Sequence, residues 1–161
     1  MDSKYLLIGG GILALILLSK NAGATGINFN ALSGHFNQAD VDRLQRVAEA
    51  LARAGVEPNK IKMMLAQILH ETGIFTQSSA NRHAIDDLNN YAGISRNGQL
   101  KSYNTVDDFV ADYLRVLNLP SHYPIQATDI VDFNNRLKAN GYYTDSISTY
   151  GNALNYYYNL L

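Results

Sequence analysis

The chain of 161 residues contains no cysteine, so a disulfide framework, a Cys-ligated zinc and a thiol nucleophile are all closed to it. It also lacks an excess of either charge, with 13 Lys+Arg against 14 Asp+Glu and a formal net charge of -1. Non-specific nucleic-acid binding needs clustered cations to neutralise several phosphates, so nucleic acid is not an expected partner. Metal-ligand spacing is missing as well. His35, His83 and His122 are scattered, and His70-Glu71 does not open an H-E-x-x-H helix because position 74 is Ile74. No metal and no cofactor are expected. A hydrophobic content of 47% without an internal repeat suits one folded domain with one core.

Long apolar runs are absent except at the N-terminus, where Tyr5 to Leu18 reads YLLIGGGILALILL without a charge. As a helix this run reaches about 21 Å, short of the roughly 30 Å hydrocarbon core of a bilayer. Lys4 and Lys20 can snorkel, so a retained membrane anchor through residues 5–18 is the preferred reading. The alternative is a signal peptide cleaved near Ala24, after the Ala22-Gly23-Ala24 pattern, giving a secreted protein. The flanking charges are too similar to set an orientation. Removing residues 1–24 deletes Asp2, Lys4 and Lys20 and takes the net charge from -1 to -2. Residues 25–37, polar and Gly-containing, read as a linker, which leaves 38–161 as the folded domain.

From Gln38 the periodicity is helical. Val41, Leu44, Ala48 and Leu51 recur at three and four up to Gly55. Pro58 suits the first turn of a second helix, whose stripe is Ile61, Met64, Leu65, Ile68 and Leu69 and whose stop is Gly73; Met63 and Met64 read as core filler. Asn97-Gly98 is the turn of a small hairpin within Tyr91 to Tyr103. Thr105 and Asp108 resemble a capping box ahead of a helix that Pro120 and Pro124 end. Two further helices are expected over Thr128 to Ala139 and Ser148 to Leu161. The fold class is mainly α with a minimal β-hairpin.

Glu71 carries the most chemical interest. At 100° per residue from Ile61 the apolar stripe centres near roughly 10° and Glu71 lies near roughly 280°, at the rim of the buried face. A carboxyl that loses solvation near the negative end of a helix dipole has a raised pKa and can act as a general acid. The same spacing also fits a solvated helix-end glutamate. His70 falls opposite the stripe and reads as exposed. Of the 11 tyrosines, six lie between Tyr142 and Tyr158, and most fit the core face of the last helix. Tyr142 and Tyr143 follow Gly141 in a turn, where an aromatic packs, stacks on a sugar face, or hydrogen-bonds into a cleft.

Four motifs in order resemble glycoside hydrolase family 73, the glucosaminidase domains of bacterial autolysins and of the flagellar rod-associated peptidoglycan hydrolase. Ala66-Gln67-Ile68-Leu69-His70-Glu71-Thr72-Gly73 is similar to its A-Q-x-x-L-E-S-G segment, and Asn89-Asn90-Tyr91-Ala92-Gly93-Ile94 to its N-N-L-F-G-I. Tyr103 with Phe109 resembles its Y-x-S and following helix, and Gly141-Tyr142-Tyr143-Thr144-Asp145 its G-Y-A-T-D. The resemblance spans about residues 40–160. It implies a lysozyme-like helical fold and cleavage of the β-1,4 bonds of peptidoglycan glycan strands. Glu71 would be the catalytic acid and Tyr142 the cleft tyrosine, with Asn90, Tyr91, Gly93, Tyr103 and Tyr143 toward the substrate.

Two departures bear on mechanism. Thr72 and Ile74 replace the usual Ser and Trp. Only Ser95 to Ser102 separate Ile94 from Tyr103, and none is acidic, where family members carry a lobe with a second carboxylate. Glycosidases ordinarily use two. Asp86, Asp87, Asp107 and Asp108 are the candidates here, although Asp107 and Asp108 also suit a helix first turn. A single acid would leave assistance by the substrate's N-acetyl group, lytic-transglycosylase chemistry, or an inactive glycan-binding protein. The N-terminal run generates the first prediction. The full chain partitions with membranes or requires detergent, whereas a chain starting near Thr25 stays soluble and unfolds in one cooperative transition. A full chain that stays soluble with Leu6 to Leu18 protected from exchange would overturn it.

Overall fold

A computed structural model describes residues 25–72, 82–119 and 122–161. The apolar run 5–18, the helix stop expected at Gly73, Ile74 and Pro120 lie outside the described residues. Among the described residues no helix is long and apolar enough to cross a membrane.

The architecture is mainly helical. A one-turn α1 (Phe29–Leu32) leads to α2 (Gln38–Arg53) and α3 (Pro58–Thr72), and a π-helical turn covers His83–Asp87. The hairpin β1 (Ser95–Arg96) and β2 (Gln99–Leu100) follows, then α4 (Val106–Leu117), a 3-10 turn at Pro124–Gln126, α5 (Ile130–Ala139) and α6 (Ile147–Leu160). The starts have local causes. Asn37 caps α2 by accepting from the Asp40 N–H at 3.0 Å, and Ser146 caps α6 through the Thr149 N–H at 3.1 Å. The capping box of α4 is complete, with Thr105 and Asp108 exchanging side chain-to-backbone bonds at 3.1 Å. The hairpin is antiparallel, with Ser95 opposite Leu100 and Arg96 opposite Gln99. Asn97 and Gly98 both have positive φ, +55° and +78°, the backbone of the turn that Asn-Gly favours.

The core is organised around α3, which packs against α6 on one side and α2 on another, while α5 closes on α6 and α4 on α2. Met63 through Leu69 are all buried, so the single stripe read from the sequence understates this helix. It is enclosed on nearly every face. His70 is the visible correction: it is half-buried, not exposed, with its ring edge-on to Tyr150 at 4.4 Å. A helix wheel places residues relative to one another but does not say how many neighbours the helix has.

Residues 25–37 are a second correction. They do not form a solvated linker: Ile27, Leu32 and Phe36 join the main core, and Thr25 is buried. The domain begins no later than Thr25. Burying each of these three side chains contributes about 1.5–3 kcal/mol, enough to hold a polar, Gly-containing stretch against the body. Leu32→Ala in the full chain should therefore cost about 2–5 kcal/mol of stability, as for other buried leucines. Chemical denaturation measures this, and an unchanged midpoint would restore the linker reading.

Candidate active site

Glu71 sits in the last turn of α3, which delivers its carboxyl into a polar cleft. The cleft has a volume of about 270 Å³ and is lined by Glu71, Ala92, Gly93, Ile94, Ser95, Val116 and Tyr142. Glu71 is solvent-accessible at its mouth. Its Oε1 accepts a hydrogen bond from the Tyr150 hydroxyl at 2.5 Å. Crowding by protein raises the carboxyl pKa above its ordinary value, the Tyr150 bond and His70 oppose this, and the charge of Asp145 adds to it. Burial also lifts the Tyr150 hydroxyl, with the Glu71 charge adding to the effect, so Tyr150 stays a neutral donor.

A chain of contacts fixes Tyr150. Its ring stacks on Tyr143 at 3.7 Å and 3°. The Tyr143 hydroxyl donates to Asn134 Oδ1 at 2.7 Å, and Asn134 Nδ2 donates to the Ile147 carbonyl at 3.0 Å. Gly151 leaves room for this amide: a Cβ there would meet Asn134 Nδ2 at 2.6 Å and push the Asn134 side chain aside. Lys138 lies over the far side of Tyr143, 5.0 Å from the ring centre.

The opposite wall is built by the Asn89–Ile94 turn. Asn90 is fully buried and ties the turn together, donating from Nδ2 to the carbonyls of Ile94 and Lys101 at 2.8 and 3.0 Å and accepting from the Ile94 N–H at 2.9 Å. Asn89, with φ of +49°, donates to the Tyr103 carbonyl at 3.0 Å. Gly93, at φ +62°, faces open space where a Cβ would stand, which leaves bare backbone on the cleft floor.

The expected site residues thus divide. Glu71, Gly93 and Tyr142 share one cleft, and Tyr142 reaches the Ala92 carbonyl at 3.4 Å. Asn90 shapes the floor from beneath and cannot touch a ligand directly. Tyr91 is corrected: it is 2% exposed and packs on Phe109 with ring centres 5.3 Å apart, so it is core and not a glycan contact. Tyr143 does not line the cleft and stacks instead on Tyr150. Tyr103 is not among the residues lining the cleft, and its hydroxyl donates to Asp112 Oδ2 at 2.7 Å.

The four candidate second carboxylates are engaged elsewhere. Asp86 pairs with Arg43 at 2.8 Å, Asp87 with His83 at 2.7 Å and Asp107 with Arg53 at 2.9 Å, while Asp108 caps α4. Segment 73–81 contains no acidic residue. Asp145, in the Gly141–Asp145 motif, is the carboxylate whose charge bears on Glu71. Sequence reasoning missed Tyr150 by treating it as core, which its 3% exposure supports, without seeing that a core ring can carry a hydroxyl into a cleft. Among the described residues no three His, Asp or Glu side chains form a metal site.

Comparison with curated proteins and with solved structures returned no match. The family profile described as glucosaminidase, mannosyl-glycoprotein endo-beta-N-acetylglucosaminidase, matches residues 44–160, which contain α3, the hairpin, the Gly141–Asp145 turn and α6. With Glu71, the Asn89–Ile94 turn and Tyr142 converging on one cleft inside that match, the chain belongs to the glucosaminidase family, glycoside hydrolase family 73, whose members act on glycans.

Proposed function

We propose that this domain cleaves the β-1,4 bonds of peptidoglycan between N-acetylglucosamine and N-acetylmuramic acid, with Glu71 as the general acid. The observation that carries the reading is a carboxyl of raised pKa opening into a polar cleft and fixed by the Tyr150 hydroxyl. A raised pKa widens the range in which Glu71 holds a proton for the glycosidic oxygen. As the bond breaks, the proton moves to the leaving oxygen, and the carboxylate left behind is stabilised by the bond from Tyr150. The bare backbone at Gly93 accepts a sugar ring at close range, and Tyr142 closes the cleft opposite. The membrane-directed run at 5–18 would hold this activity at the cell envelope or a virion membrane.

The engagement of Asp86, Asp87, Asp107 and Asp108 outside the cleft favours a single-acid route as the second reading. There the 6-hydroxyl of muramic acid attacks internally, and the products carry a 1,6-anhydro end. Hydrolysis adds the mass of water and transglycosylation does not, so mass spectra of released fragments separate the two.

Glu71→Gln should reduce release of fragments from purified sacculi by at least about 100-fold. Its fold should survive. The folded pKa of Glu71 is raised, so its ionised form opposes folding above that pKa, and the penalty vanishes below the ordinary carboxylate value. The glutamine variant should therefore melt at an equal or higher temperature at pH 7, with the difference fading in acid. Parental digestion by this variant removes Glu71 from catalysis. For Tyr150→Phe the readout is the pH profile: losing a donor to the carboxylate raises the Glu71 pKa further and moves the alkaline limb of kcat/KM to higher pH. A limb that stays in place or moves to lower pH contradicts the assigned role of Tyr150.

A further inference from the structure

The Glu71 cleft does not end at Ser95. Ile94, Ser95 and Val116 also line a second cavity of about 490 Å³, whose other walls are Arg96, Lys101, Asp112 and Arg115. Three cations and one anion give this cavity an excess of two positive charges in a chain whose net charge is -1. The anion is already committed. Asp112 receives Lys101 at 2.5 Å, Tyr103 at 2.7 Å and the Arg115 Nε at 2.8 Å, and although burial works against its ionisation these donors pull its pKa down to about 2. It is an internal counter-ion that orients Lys101 and Arg115. Arg115 spends only Nε on this pair, and its side chain is 60% exposed, which leaves the terminal nitrogens of its guanidinium open to a ligand. The Arg96 side chain, on β1, is exposed and makes no hydrogen bond or ion pair to another described residue. Two arginines therefore present unspent, planar donor sets to one cavity, the geometry that takes a carboxylate in bidentate fashion.

We propose that this cavity is a subsite for the carboxylate-bearing substituent of a glycan sugar adjacent to the scissile bond, read by Arg96 and Arg115. The proposal rests on the glycosidase reading of the neighbouring cleft. It names what that reading leaves open, a charge requirement in the substrate and a direction for the strand, since the basic cavity extends from one end of the cleft. In peptidoglycan the carboxylate is either the free lactyl acid or the acids of an attached peptide.

The test is binding to the full chain carrying Glu71→Gln, which reads the groove without turnover. The probes are soluble glycan strands with peptides attached, the same strands with peptides removed and lactyl acids free, the same strands with those acids amidated, and a neutral N-acetylglucosamine oligomer. Kd should be roughly tenfold lower for the carboxylate-bearing strands than for the amidated ones, and this advantage should fade with added salt. Adding Arg96→Gln and Arg115→Gln together should abolish the advantage and leave Kd for the neutral oligomer unchanged. Arg96→Gln alone, on the exposed hairpin, should lose part of it without disturbing Asp112. The first two probes tell the sources apart: the lactyl carboxyl is an amide in the peptide-bearing strand, so preference for the peptide-free strand assigns the lactyl acid, preference for the peptide-bearing strand assigns the peptide, and equal affinity means that either acid serves. Equal Kd for charged and amidated strands, equal loss on every probe, or binding to none of them overturns the subsite. If the arginine-dependent preference is present but the parental chain cleaves none of the four, the subsite stands and the glycosidase reading fails.

Discussion

The enclosure of α3 governs the rest of the molecule. Met63 through Leu69 are buried on every face of the helix, so it can neither rotate nor slide without breaking packing against α2 and α6 together. A charged residue at the end of such a helix has one place to go. Glu71 emerges where the core stops, and its raised pKa follows from the protein crowded around it. The first turn of α3 is set by Pro58, and the helix, 15 residues long, ends at the cleft.

Much of this was readable from residue spacing. The helix starts at Gln38, Pro58 and Thr105, the Asn97-Gly98 turn and the rim position of Glu71 all follow from local rules acting over three or four residues. What spacing could not supply was the number of partners around each element. His70 and Tyr150 come from different helices, and their meeting depends on α6 crossing α3. Residues 25–37 look like a linker because their apolar members are sparse, yet Ile27, Leu32 and Phe36 suffice once the body offers them a surface. Tyr91 and Tyr142 stand in motifs of equal apparent weight, and only burial separates the core ring from the cleft ring.

The acidic residues show how position decides chemical role. Asp86 and Asp107 hold elements together through arginines on α2, Asp108 holds a helix start, and Asp112 holds two cations toward a cavity. Among the described acidic residues only Glu71 combines crowding with an opening into the cleft. The tyrosines divide in the same way: Tyr113 donates to buried Gln67 at 2.6 Å inside the core, Tyr103 steadies Asp112, and Tyr150 attends Glu71. Each carries a neutral hydroxyl because burial lifts its pKa.

The coplanar stack of Tyr143 on Tyr150 has an optical consequence. The chain has no tryptophan, so its near-ultraviolet circular dichroism comes from tyrosine and phenylalanine held in fixed, asymmetric packing. Two phenol rings 3.7 Å apart and parallel are strongly coupled transition dipoles, and one of them donates directly to Glu71. Part of the aromatic signal of this protein therefore arises one hydrogen bond away from Glu71, so a change in the packing of that pair registers in the spectrum of the unlabelled chain.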